Sequence, residues 1–214
     1  MARTSGPLLS FDARASVGKT IVYSNWKGVP YARRWVQPAN PNTSDQQAVR
    51  GVFKWLMAVW SFMPAAAQEA WNAYAQGQPM TGRNAFAKFN VAPLQGQTDL
   101  TNFVMSPSAR SGPIAQAATF TPGNDLVTVD ITAPALPSGW TIVEAVAAAI
   151  RQQNPSSGVL YTVTAGVDAT STYQIVLSGL ASAQTYVCGA WFKYLRPDGT
   201  FAYGRSIQGT ALTT

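Results

Sequence analysis

From about Ile114 onward the sequence alternates short β-rich runs with turn clusters, and this texture limits the fold more than any other feature. The runs are Ala118–Thr121, Leu126–Thr132, Trp140–Ile150, Val159–Ala165, Thr172–Leu177, Thr185–Tyr194 and Phe201–Thr210. Seven segments in about 100 residues have the count and spacing of two packed antiparallel sheets. Leu126, Thr128 and Asp130 alternate with Val127, Val129 and Ile131, the period of a half-buried strand. Ala145–Ala149 has the composition of a helix. The β-branched Thr141-Ile142-Val143 before it and the β texture around it predict a strand instead.

Within this region Leu180 precedes Tyr186 by six residues, and Cys188 follows at Tyr-x-Cys spacing. A tyrosine at the start of the sixth strand of an immunoglobulin-type sandwich closes the preceding corner by bonding its hydroxyl to nearby backbone. The spacing resembles the L-x-P-x-T-x-Y signature of fibronectin type III domains, with Ser182 and Gln184 in place of its proline and threonine. Cys188 has no second cysteine to pair with and reads as a small buried apolar residue. Arg196-Pro197-Asp198-Gly199 supplies turn chemistry for the last hairpin.

The front of the chain has a different texture. Thr20–Trp26 and Tyr31–Val36 are strand-like, and Lys27-Gly28-Val29-Pro30 between them is a turn, so a β-hairpin is predicted. Thr43 or Ser44 then caps a helix whose apolar face is Val49, Val52, Phe53, Leu56, Met57 and Trp60. Pro64 ends it and starts a second helix with Ala67, Ala70, Trp71 and Tyr74 inward and Gly77 as the stop, making an αα-hairpin. A third short helix runs from about Gly82 to Val91, with Phe86 and Phe89 on one face and Thr81 near its cap. Residues 93–113 are rich in Pro, Ser, Gly, Asn and Gln and read as a linker, with 99–105 docking on a neighbour or forming a short strand. The predicted organisation is an α+β domain over 1–92, a linker over 93–113 and an all-β sandwich of fibronectin-III or immunoglobulin type over 114–214.

Composition narrows the chemistry. The chain has 47% apolar and 11% charged residues, which argues against disorder. It has no histidine and one cysteine, so Ser-His and Cys-His pairs, His-ligated metals and disulfides are not available. Its nine carboxylates form no close sequence pair. No catalytic, cofactor-binding or metal-binding residue is assigned, and the chain reads as a non-enzyme. No apolar stretch reaches the roughly 18–20 residues of a membrane helix. No apolar run follows Arg3, so no secretory signal is read. Val17-Gly18-Lys19-Thr20 ends like a phosphate-binding loop, but Ala13 stands where that motif needs glycine and a strand follows, so it is rejected. Asn42-Thr43-Ser44 reads as a helix cap rather than a glycosylation acceptor.

Charge is unevenly placed. Residues 1–115 hold eleven Lys/Arg and four Asp/Glu, whereas 116–214 hold four and five. Trp26 and Trp35 flank the hairpin turn beside Lys27, Arg33 and Arg34. Aromatic residues among cations can stack nucleobases, and the same mixture is typical of protein–protein hot spots. With so few cations together, the protein interface is the preferred reading. Its candidate residues are Trp26, Lys27, Tyr31, Arg33, Arg34 and Trp35.

Gly18-Lys19-x-x-Val22-x-Ser24-x-Trp26-Lys27-Gly28-x-Pro30-Tyr31-x-Arg33 resembles the opening motif of a family of uncharacterised phage and prophage structural proteins. Three further family motifs follow in order: Asn40-Pro41-x-Thr43-x-x-Gln46-x-x-x-Arg50, Ala67-Gln68-x-Ala70-Trp71-x-x-Tyr74-Ala75 and Thr81-Gly82-x-Asn84-Ala85-Phe86. Val17 departs from the glycine or serine usual before the first. The resemblance covers about residues 10–92 and implies a virion structural protein. A capsid decoration or accessory protein is the first expectation. The partner would be the major capsid protein or a tail protein, contacted by many symmetric copies or a homo-oligomer, with no membrane involved. A tail or head–tail connector component is the alternative, and a nucleic-acid-binding module the further one.

Overall fold

The structure, a computed structural model, describes residues 2–3, 15–26, 29–37, 39–161, 163–170 and 172–214, with the backbone alone for Ala2, Arg3 and Trp26. The chain divides into two compact units, 1–42 and 43–214. In the first, β1 (Ala2–Arg3), β2 (Ala15–Val17), β3 (Ile21–Trp26) and β4 (Val29–Arg34) form an antiparallel sheet in the order β1-β4-β3-β2. The predicted hairpin is β3–β4, paired from Ile21↔Arg34 to Trp26↔Val29.

The second unit opens with α1 (Ser44–Phe62), α2 (Ala65–Ala75) and α3 (Gly82–Leu94). Thr43 caps α1 by accepting from the Gln46 N–H at 3.4 Å, and Thr81 caps α3 by accepting from the Asn84 N–H at 3.3 Å. Pro64 stands at the N-cap of α2 rather than inside its first turn. Helix α3, not α1, is the main neighbour of α2, so the predicted α1–α2 pair is a three-helix layer instead. Helix α3 also runs past its predicted end to Leu94, whose burial holds Pro93 in the last turn.

The strands then follow as β5 (Ala117–Gly123), β6 (Leu126–Thr132), β7 (Thr141–Arg151), β8 (Val163–Asp168), β9 (Gln174–Ser178), β10 (Thr185–Leu195), β11 (Phe201–Tyr203) and β12 (Ile207–Leu212). One sheet has the order β5-β6-β9; the other runs β11-β10-β7-β8, with β12 also pairing β10. All pairings are antiparallel. The predicted seventh strand is thus two pieces. Between them Ser206 and Ser106 exchange hydrogen bonds, and Ala109 forms a bridge with Tyr203, so residues 106–109 lie along the edge that β11 and β12 leave open. The alanine run is strand β7, as its surroundings predict.

Two cores, one on each face of the larger sheet, explain that run. The odd-numbered Ala145, Ala147 and Ala149 face the smaller sheet with Val127, Val129, Ile175, Leu177, Tyr186, Cys188 and Phe192. The even-numbered Val146, Ala148 and Ile150 face the helices, with Val187 and Trp191 of β10 beside Trp55, Leu56, Trp71 and Phe86. A strand covered on both sides needs apolar residues at successive positions, so alternation disappears. At Gly189 a Cβ would lie 2.6 Å from the Met105 sulfur, so the residue lets the chain after the helices pass close over β10.

This architecture corrects the predicted organisation. Residues 93–113 are not a free linker: Leu100, Phe103, Val104 and Met105 are buried against the helices. Buried Asn90 holds them by accepting from the Val104 N–H at 2.8 Å and donating to the Val104 carbonyl at 3.1 Å. The Trp71 indole N–H donates to the Met105 carbonyl at 2.8 Å. The helices share a core with the strands, and the division falls after Asn42. The buried face of α1 is also rotated from the predicted one, to Val52, Trp55, Leu56 and Val59, leaving Phe53 50% exposed. The cause is Trp55, which packs edge-on against Phe103 at 5.3 Å between ring centres and turns that side of the helix inward.

Candidate functional site

The predicted docking residues sit on the small sheet. Lys27 falls outside the described residues, and for Trp26 only the backbone is described, paired with Val29. Directly opposed residues share a face of an antiparallel pair, and successive residues alternate. Tyr31 opposite Ser24 and Arg33 opposite Val22 therefore share one face, with Val29. Arg34 opposite Ile21 is on the other, together with Tyr23, Ala32, Pro30 and, from β2, Val17. The pleat thus separates Arg33 from Arg34, neighbours that the sequence suggests as one cluster. Trp35 leaves the sheet half-buried, its N–H donating to the Thr20 carbonyl at 2.7 Å.

No described side chain in this sheet is buried. Val17 is 62% exposed, Ile21 and Val29 43% each, and Val36 just beyond it 63%. Val17 and Ile21 are not among the docking residues that the sequence suggests. Their signal was the period-2 alternation of Ile21–Tyr23 against Ala32–Arg34, which places apolar residues on the face opposite Tyr31.

The helix–sandwich unit has an open cleft of about 700 Å³ between the α2–α3 turn and the β10–β11 edge. Lys193 Nζ lies there 2.7 Å from Glu69 Oε2 and 3.5 Å from Glu144 Oε1, and 4.5 Å above the centre of the Phe201 ring. The Tyr203 hydroxyl donates to Glu69 at 3.1 Å, and Arg110 donates to the Phe201 carbonyl and the Gln76 side chain. Sequence spacing could not pair Glu69 with Glu144, because folding brings them together across helix and sheet. Burial favours the neutral amine of Lys193, but hydrogen bonding and charge from Glu69 and Glu144 outweigh it and hold its pKa above the ordinary range. Burial first, then the Glu69 charge, holds the Tyr203 phenol above its usual value as well. At neutral pH the lysine is charged, the tyrosine neutral, and both are engaged within the protein. This cluster fastens helix to sheet.

Cys188, the chain's one thiol, is buried between the sheets, and desolvation pushes its pKa up to about 12. A protonated thiol there is packing, as its sequence context predicts. At the predicted corner Leu180 is buried, and the Tyr186 hydroxyl accepts from the Ala181 N–H at 2.8 Å. Among the described residues no group of three or more His, Cys, Asp or Glu side chains could hold a metal, and no helix is long and apolar enough to cross a membrane.

No family model and no curated protein matches the chain. Among solved structures, one described as "Myokine structure" is similar at 10% identity, covering 48% of this chain and 98% of that one, with a TM-score of 0.36. A computer-based redesign of a β-sandwich protein is similar at 19% identity, covering 46% and 87%, with a TM-score of 0.34. Neither likeness carries an argument about function. The sandwich-like arrangement stands on the sheet registers above, and the whole is an α+β fold of three helices and mostly antiparallel sheets.

Proposed function

We propose that this chain is a non-enzymatic bacteriophage virion structural protein, a capsid decoration or accessory protein that docks through its N-terminal unit and projects a fibronectin-III-like body. One observation carries the reading: charge and packing are divided between the two units. Residues 1–42 hold six Lys/Arg and one Asp, on a sheet with no buried side chain among those described. Residues 43–214 hold nine Lys/Arg and eight Asp/Glu around two continuous cores. One unit is built to adhere and the other to stand. The run of phage-like motifs over residues 10–92 supports the virion setting. The finer fold reading is supported by the strand order, in which the first, second and fifth sandwich strands face a sheet of the seventh, sixth, third and fourth. Tyr186 at the corner before the sixth strand supports it too.

On a symmetric shell, many copies make a modest single contact effective. The test is sedimentation with purified particles. The wild-type chain is expected in the particle fraction and a folded Trp26→Ala/Arg33→Ala variant in the supernatant; normal retention of that variant, or a wild-type chain missing from particles, refutes the proposal. Hundreds of copies per particle place it on the shell, and a handful would move it to the tail or connector.

A further inference from the structure

We infer that the open cleft between the α2–α3 turn and the β10–β11 edge binds an uncharged saccharide, held by Glu69, Asn72 and Gln76 and packed on the ring of Phe201. The site lies wholly within residues 43–214 and takes nothing from the virion reading.

Helix geometry builds one wall. Glu69, Asn72 and Ala73 of α2, with Gln76 at its C-cap, follow the i, i+3, i+4, i+7 spacing of a single helix face, and that face lines the cleft. Bonds inside the protein fix these side chains without using them up. Glu69 Oε2 takes both Lys193 and Tyr203, and its Oε1 has no partner among the described residues. Gln76 accepts from Arg110 through Oε1, which leaves its NH₂ group free. The exposed Asn72 side chain makes no hydrogen bond among the described residues, so it offers two donors and an acceptor. Across from it, a Cβ on Gly82 would lie 2.2 Å from Asn72 Oδ1, so the glycine makes room for this amide in the wall. The volume, about 700 Å³, is that of a small-molecule site.

These groups select the ligand. Free acceptors and free donors line one cleft, and a hydroxyl donates to the first and accepts from the second with a single atom. Lys193 and Arg110 stand against Glu69 and Glu144, two cations to two carboxylates, so no ligand charge is favoured. Phe201, 40% exposed, and Met80 supply apolar wall for the C–H face of a sugar ring. A polypeptide fits the groups less well. They are scattered side chains rather than a row of backbone N–H and C=O, and the Tyr203 backbone of β11 is already bonded to Ala109.

The probes are maltohexaose, cellohexaose, chitohexaose and mannohexaose, each titrated against the full chain by ligand-observed NMR. Hexagalacturonate and a Gly/Asn hexapeptide serve as the charged and the peptide comparison. At least one of the four neutral sugars is expected to bind with a Kd below about 1 mM, and both comparisons more weakly. Asn72→Ala should weaken that sugar about fivefold, the value of one hydrogen bond. Alanine at an exposed helical position costs no stability, so the loss would not come from unfolding. Phe201→Leu, which keeps an apolar residue and removes the ring, should weaken it by a similar factor. Gln97→Ala is the control, an exposed amide outside the cleft, and should leave binding within twofold. Circular dichroism confirms that the variants are folded. The assignment falls if none of the four sugars binds, if hexagalacturonate or the peptide binds as tightly as the best of them, or if Asn72→Ala costs no more than Gln97→Ala. No probe contains a virion component, so absence of the chain from particles would remove the virion reading and leave this one standing.

Discussion

Lys193 and Glu69 meet at 2.7 Å, and through them strand β10 is fastened to helix α2. Glu69 also accepts from Tyr203, so one carboxylate serves two strands. Glu69→Ala leaves Lys193 its second partner, Glu144, and the site is half open to solvent; a cost of about 1 kcal/mol is expected. Tyr203→Phe should lose about 1 kcal/mol alone and less in the Glu69→Ala background. A double-mutant cycle by urea denaturation reads the coupling, and strict additivity would show that the three groups do not act together.

Asn90 replaces a missing strand partner for Val104, bonding both its N–H and its carbonyl. Asn90→Ala leaves those backbone groups buried and unpaired, at about 1–3 kcal/mol each. A loss of about 3 kcal/mol is expected, with amide exchange of residues 99–105 accelerating before the rest of the body. Uniform acceleration would show that this segment has no stability of its own to lose.

Gly51 lies in the middle of α1, where alanine ordinarily stabilises by about 1 kcal/mol. Here a Cβ would stand 1.9 Å from the Ser156 carbonyl oxygen, in the 3-10 turn Pro155–Ser157 between β7 and β8. Backbone on both sides leaves little room to yield, and the clash outweighs the propensity gain. Gly51→Ala should lower stability by about 1–3 kcal/mol. A rise in melting temperature would mean that the turn moves away freely.

Alkaline pH should destabilise the body. Cys188 titrates near 9.0 when unfolded and at about 12 when buried, so the native state holds the proton over that window. Stability is intact below pH 9 and falls as pH rises toward 12, by up to about 4 kcal/mol from this group. The raised phenols of Tyr194 and Tyr203 act in the same direction from pH 10 upward. Cys188→Ala should flatten the fall between pH 9 and 10, where the thiol is the first of the three groups to act; an unchanged slope would assign the effect elsewhere.

The local elements were legible because local chemistry decides them: Thr43 and Thr81 are caps, Tyr186 is a corner, and Gly199 with φ +77° closes a turn. What sequence could not reveal is which elements share a core. Trp55, Phe103 and Trp191 lie far apart in the chain, and no period links them. The polar texture of 93–113 reads as linker because the apolar side chains that pack there, Leu94, Leu100, Phe103, Val104, Met105 and Ala109, follow no strand or helix period, with Asn90 outside the segment hydrogen-bonding Val104. For the docking residues, the hairpin was visible but its faces were not separated, so Arg33 and Arg34 looked like one cluster.

Because β7 and β10 are covered on both sides, the sandwich strands are no detachable cassette. Cutting the chain before Ile114 would strip Val146, Ile150, Val187 and Trp191 of their cover and leave a sticky slab in place of a domain. The smallest piece that recombination could graft onto another protein without that penalty begins at Thr43, helices included.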